Sequence, residues 1–240
     1  MAEKAEPGYD CVHLFIEMDP IHGMHLTGLI FDMDGTLGDS LPFILIALRE
    51  TFERFSGCTL SDAEIGAMFG PTEEGIIARR VAPEAYPQAL AFFLERYAGL
   101  HAAQPFPGIC ELLAELKARG LRVAVATGKG PGTAAISVRA YGLEGLIDRL
   151  ETGSAQGGIK PELIRRVLEG WGLPGSAAAY VGDSRSDMDD ARTAGVLPIG
   201  AAWTRSATVT AADTPYLFTS VEALEAWIEN GQYQKMIVPG

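Results

Sequence analysis

Only three cysteines, Cys11, Cys58 and Cys110, occur in the 240-residue chain, far apart and without Cys-x-x-Cys spacing. An odd, scattered set builds neither a disulfide framework nor a zinc knuckle, and it points to a reducing, cytoplasmic setting. No run of eighteen apolar residues occurs, so no membrane partner or span is expected. The first ten residues hold three acids and one lysine, and the apolar stretch from Cys11 to Ile16 is too short for a secretory core. Basic residues are also scarce: 19 Lys and Arg stand against 31 Asp and Glu, for a net charge of -12. That balance excludes the basic stripe a nucleic-acid partner requires. His13, His22 and His25 lack regular ligand spacing and acidic or cysteine partners, so they read as no metal motif. Internal repeats and low-complexity tracts are absent as well.

What the chain does have is Phe31-Asp32-Met33-Asp34-Gly35-Thr36-Leu37, directly after the apolar run from Leu26 to Ile30. As the chain leaves a buried strand, Asp32 and Asp34 can aim at one point beyond the sheet edge, while Gly35 permits a tight turn. Two carboxylates about 4 Å apart repel by roughly 4 kcal/mol at an effective dielectric near 20, which calls for a cation, a lysine or a shared proton.

Three further segments supply partners. The strand-like run Leu121 to Ala126 ends in Thr127-Gly128-Lys129-Gly130 before a helix starting near Pro131, a composition suited to holding an anion. Gly157-Gly158-Ile159-Lys160-Pro161 brings a lysine to the start of another helix. The apolar segment Ala178 to Val181 leads into Gly182-Asp183-Ser184-Arg185-Ser186-Asp187, whose two aspartates share one face if a helix begins there. Asp189 and Asp190 read as ordinary acids of a first helical turn and are left out of the site.

Apolar residues recur at helical spacing from Leu41 to Phe55 and from Tyr86 to Tyr97, with shorter helices expected over Asp62 to Phe69 and Glu73 to Ala82. Residues 40–103 thus read as all-helical. Beyond Pro105 a helix at Ile109 to Arg119 opens an alternation of strands and helices, and a terminal helix is expected over Val221 to Ile228 with Trp227 packed. The alternation predicts an α/β fold, a doubly wound parallel sheet, with all four segments at strand ends or helix starts.

Together these segments resemble the haloacid dehalogenase superfamily of phosphohydrolases, from about residue 26 to the end of the chain. The nearest likeness is to phosphoglycolate-phosphatase-like members, through Asp32 to Ser40 and Asp183 to Gly195. The resemblance implies a Rossmann-like core of residues 24–39 and 104–240, a helical cap domain of residues 40–103 inserted after the first motif, and an extension of residues 1–23 without evident role. Gly38-Asp39 and Gln104-Pro105 are the candidate hinges.

The same resemblance implies a magnesium-dependent phosphatase acting on a small phosphorylated metabolite through a phospho-aspartate. Asp32 is then the nucleophile and Asp34 the acid and base. Magnesium is expected on Asp32, the backbone carbonyl of Asp34, and Asp183, with Asp187 orienting Lys160 or a metal-bound water. Thr127, Gly128 and Lys160 hold the phosphoryl oxygens. Gly128 stands where many relatives carry asparagine. In the cap, Arg79 or Arg80 offers a partner for a second anionic group, while Glu73 and Glu74 discourage one if they face the site. A phosphosugar mutase is the lesser reading, because its cap histidine would fall near Ile44. A pyrophosphatase or a non-catalytic phosphate-binding module are further alternatives, and the oligomeric state stays open.

Overall fold

A computed structural model describes residues 26–101 and 104–230. The amino-terminal extension of residues 1–23, and His25 after it, lie outside the described residues, so His13, His22 and His25 are not placed. Strands β1 (Gly28–Phe31), β2 (Arg122–Thr127), β3 (Arg149–Thr152), β4 (Ala178–Gly182), β5 (Leu197–Ala201) and β6 (Leu217–Phe218) form one sheet in the order β3-β2-β1-β4-β5-β6. Every pairing is parallel. Such a sheet needs helices on both faces, and alternating side chains divide accordingly. Leu29, Phe31, Val123, Val125 and Val181 pack with Leu112, Leu116, Leu224 and Ile228, from α5 (Ile109–Ala118) and α9 (Val221–Glu229). Ile30, Ala124, Ala126 and Tyr180 face the opposite way, onto α7 (Lys160–Trp171) and α8 (Arg185–Ala194).

Because β1 lies between β2 and β4, the chain winds first to one side of it and then to the other. The carboxyl end of β1 therefore sits at the crevice where open α/β sheets take their ligands. The remaining core helix, α6 (Pro131–Ala140), follows β2 directly.

Between β1 and α5 run α1 (Leu41–Ser56), α2 (Asp62–Gly66), α3 (Glu73–Ala78) and α4 (Tyr86–Leu100). They enclose a cluster of their own, including Ile44, Leu48, Phe52, Ile65, Ile77, Phe93 and Tyr97. Two of these helices end sooner than their apolar spacing predicts. The chain past Gly66 turns through Gly70, at φ 135°, and Pro71, so the expected last turn of α2 does not form. Pro83 disfavours helix at Ala82, and α3 stops at Ala78. The helical layer rests on the core at residues 70–75, where the Thr72 N–H donates to Ser154 O at 3.0 Å. There a Cβ on Gly75 would meet Ala155 O at 2.6 Å, and one on Gly157 would meet Gly70 O at 2.7 Å. Among the described residues, no helix is long and apolar enough to cross a membrane.

Candidate active site

Asp32 leaves β1 still in register, its N–H donating to Val181 O at 2.9 Å, and its side chain is almost wholly buried. Gly35 then turns the chain at φ 82°. A Cβ there would come within 2.2 Å of Asp183 Oδ2, so only glycine lets the first loop approach the carboxylate that follows β4. Asp183 is fixed through its own carbonyl, which accepts from the Thr208 and Val209 N–H groups at 2.9 and 3.0 Å.

Lys160, the first residue of α7, reaches between two carboxylates. Its Nζ lies 3.2 Å from Asp32 Oδ1 and 2.6 Å from Asp187 Oδ1, above the ring of Tyr180. The other oxygen of Asp187 accepts from the Ser184 N–H and hydroxyl at 3.0 and 2.6 Å, closing the N-terminal cap of α8. Asp187 thus holds Lys160 on Asp32, one of the two roles expected for it. Burial pushes the Asp32 carboxyl from 3.8 to about 7; Lys160 pulls against this, while Asp187, Asp34 and Asp183 add to it. Asp183 is raised to about 6, first by burial and then by Asp187. Flanked by two acids, Lys160 stays protonated well above its ordinary range despite its burial.

Thr127 ends β2 and is buried, its hydroxyl accepting from the Lys129 N–H at 3.3 Å. Gly128 is exposed, and an added Cβ there would meet nothing within 4 Å. Both line the same cavity as Asp32, Asp34 and Lys160.

Asp34 turns away from Asp32. One of its oxygens accepts a short hydrogen bond from the Ser40 hydroxyl, and Oδ2 lies 3.1 Å from Lys129 Nζ. Lys129 is itself buried, donating to Ser40 Oγ at 2.8 Å, with Glu73 Oε1 at 3.8 Å and the Tyr97 ring beneath it. Sequence reasoning named Lys129 only as part of a glycine-rich turn and gave it no role. A lysine between two glycines after a buried strand carries no periodic signal, and its partners lie far off along the chain. Glu73 was considered in the sequence only as facing the site or not. It does face it, its Oε2 accepting from the Gly130 N–H at 2.7 Å. Burial raises the Glu73 carboxyl, with Lys129 and that N–H opposing.

The cavity has a volume of about 460 Å³ and is closed on the helical side by Leu41, Ile44, Phe69 and Pro71. Two expectations are corrected by it. Arg79 is not brought to it: the side chain is exposed and donates to Ala155 O at 3.1 Å, drawn off because α3 ends there. Asp190 does line it, whereas Asp189 points out to Arg192 at 3.1 Å. The three-residue step from Asp187 to Asp190 keeps both on one helix face, a signal the sequence offered.

Asp32, Asp183 and Asp187 each place a carboxylate oxygen within 4.8 Å of the others. The Asp34 carboxylate is not among them, so any share it has in a metal site belongs to its backbone. Crowded hard oxygens, two of them on carboxyls raised first by burial, suit a divalent cation such as magnesium.

An open parallel α/β sheet with carboxylates, a lysine and a hydroxyl converging at its switch point is suited to phosphoryl transfer. Residues 29–201 match the family model of haloacid dehalogenase-like hydrolases. A phosphoglycolate phosphatase of Rhodospirillum rubrum is 34% identical over 183 residues, 70% of this chain and 76% of that protein. One of Synechococcus elongatus is 30% identical over 74% of this chain and 84% of its own. CbbY of Rhodobacter sphaeroides, solved in complex with phosphate, superposes with a TM-score of 0.68 at 26% identity, covering 81% of this chain and 94% of that one. The chain belongs to the haloacid dehalogenase-like hydrolase family, and it is an enzyme of the phosphatase type within it.

Proposed function

We propose that the protein hydrolyses a small phosphorylated metabolite, a phosphomonoester, with magnesium and through a phospho-aspartate on Asp32, as its phosphoglycolate phosphatase relatives suggest. The observation that carries this reading is the convergence of Asp32, Thr127, Lys160 and Asp34 on one cavity. Asp32, Asp183 and the Asp34 carbonyl would hold magnesium, which when bound would supply positive charge at the phosphoryl site and favour the ionised nucleophile.

The chain's own groups carry the steps. An oxygen of Asp32 attacks phosphorus and the bond to the leaving oxygen breaks. Asp34, turning from Ser40 toward the cavity, gives that oxygen its proton. Water then attacks the phospho-aspartate, Asp34 takes its proton, and the bond from phosphorus to Asp32 breaks. Lys160, the Thr127 hydroxyl and the Gly128 N–H hold the phosphoryl oxygens throughout, and Asp187 keeps Lys160 in place. Residues 40–103 act as a cap that opens at Gly38-Asp39 and Gln104-Pro105 to exchange substrate and product. Ile44 lines the cavity and offers no proton, which supports hydrolysis over a mutase.

The test is phosphate release from a panel of phosphomonoesters, pyrophosphate and a haloacid, with and without magnesium, for the wild type and Asp32→Asn. Magnesium-dependent release that disappears in a folded Asp32→Asn protein is expected. Turnover retained in that variant removes Asp32 as the nucleophile.

A further inference from the structure

The leaving side of the cavity is already furnished with an anion, and it belongs to the protein. Beyond Thr127, the start of α6 and the Lys129 ammonium make the natural place for a second negative group of a substrate, because free N–H groups and a buried cation lie side by side. Glu73 fills that place from the helical layer. Its Oε2 accepts from Gly130 N–H at 2.7 Å and its Oε1 is 3.8 Å from Lys129 Nζ. Glu74 Oε1 takes the next N–H, that of Gly132, at 3.4 Å. Contact is close enough that a Cβ on Gly130 would fall 1.6 Å from Glu74 Oε2.

Lys129 is already engaged: its ammonium donates to Asp34 Oδ2 at 3.1 Å and Ser40 Oγ at 2.8 Å, and it pairs with Glu73 Oε1 at 3.8 Å. Lys160, the other lysine of the cavity, lies against Asp32 and Asp187, and in the proposed reaction it serves the transferring phosphoryl group rather than a second anion. Against these two cations the lining sets Asp32, Asp34, Glu73 and Asp190, and the rest of the helical-side lining is apolar, with Leu41 42% and Phe69 38% exposed. Arg79, which could have met a second anion, is turned out to Ala155.

We propose that this enzyme selects phosphomonoesters of an uncharged leaving group, an alcohol or polyol with an apolar edge, because Glu73 occupies the anion position beside Lys129. The proposal rests on the phosphatase reading and refines its substrate class. Protonated or ionised, the Glu73 carboxyl fills the position and excludes a carboxylate or a second phosphate from it.

Matched pairs test this: 2-hydroxyethyl phosphate against phosphoglycolate, which differ only in an alcohol for a carboxylate, and a hexose monophosphate against its bisphosphate. For the wild type with magnesium, kcat/KM is expected to favour the uncharged member of each pair by at least about tenfold, because an entering anion finds the donors beside Lys129 already taken by Glu73, ionised or not. Glu73→Gln, which keeps an acceptor for Gly130, and Glu73→Ala, which empties the position, should both shrink that ratio, the second more. Equal or better turnover of phosphoglycolate by the wild type overturns the proposal while leaving the phosphatase reading intact. A ratio unmoved in both variants removes Glu73 as its cause. Absence of phosphate release from every compound defeats the phosphatase reading itself, and the proposal with it.

Discussion

Lys160 Nζ lies 3.2 Å from Oδ1 of Asp32, among the described residues the one cation beside a buried carboxylate that three other acids surround. Without it, nothing on the protein side opposes burial, and the Asp32 carboxyl rises beyond its value of about 7. Lys160→Met is therefore expected to move the acid limb of the kcat/KM profile to higher pH. Turnover at neutral pH should fall by roughly 100-fold, the scale of losing one preorganised donor on a transferring group. An acid limb that stays put would separate Lys160 from the ionisation of Asp32.

Metal-free stability should fall as pH rises. Asp32 titrates near 7 and Asp183 near 6 in the folded chain, against 3.8 for an ordinary aspartate. Between about pH 4 and 7 the folded protein keeps protons that the unfolded chain has released, so each pH step there favours unfolding. Magnesium competes for the same oxygens and stabilises by mass action. Its gain in Tm should be larger at pH 8 than at pH 5, and Asp32→Asn should flatten the metal-free decline. Melting curves with magnesium or a chelator at both pH values check this, and an equal gain at both would place the cation elsewhere.

Arg79 provides the opposite kind of expectation. Exposed, and hydrogen-bonded to a backbone carbonyl outside the cavity, it meets no reacting group. Arg79→Ala should leave kcat/KM within about twofold of wild type, as most surface substitutions do. A larger loss on an anionic substrate would bring its guanidinium back into the site in some other arrangement of the helical layer.

How much of this was legible in the chain follows from the range of each signal. Asp32, Thr127, Lys160 and Asp183 each sit beside a strand end or helix start written in local composition, so the doubly wound sheet was readable and carried them to one edge. Asp190 shares its helix face with Asp187, a step the sequence offered, but its place near a helix start equally fits an acid that only serves the helix dipole. Lys129 and Glu73 were least legible. Their roles come from contacts between α3 and the start of α6, two segments that meet only after the helical layer has packed on the sheet.

Two glycines of the site make opposite predictions from similar sequence surroundings. Gly35 stands at φ 82° with the Asp183 carboxylate 2.2 Å from where a Cβ would go, so Gly35→Ala carries both backbone strain and a collision with a carboxylate proposed to hold magnesium. The carboxylate must shift, and magnesium affinity should weaken by about tenfold or more, the scale of disturbing the support of a metal ligand. Gly128, by contrast, has no neighbour within 4 Å of an added Cβ. Gly128→Ala and Gly128→Asn should leave magnesium affinity unchanged, and the asparagine amide would add a donor at the phosphoryl side of the cavity. Magnesium titrations followed by calorimetry, run on all three variants, separate the two positions. If Gly35→Ala binds magnesium as the wild type does, the close approach of the first loop to Asp183 is not what builds the metal site.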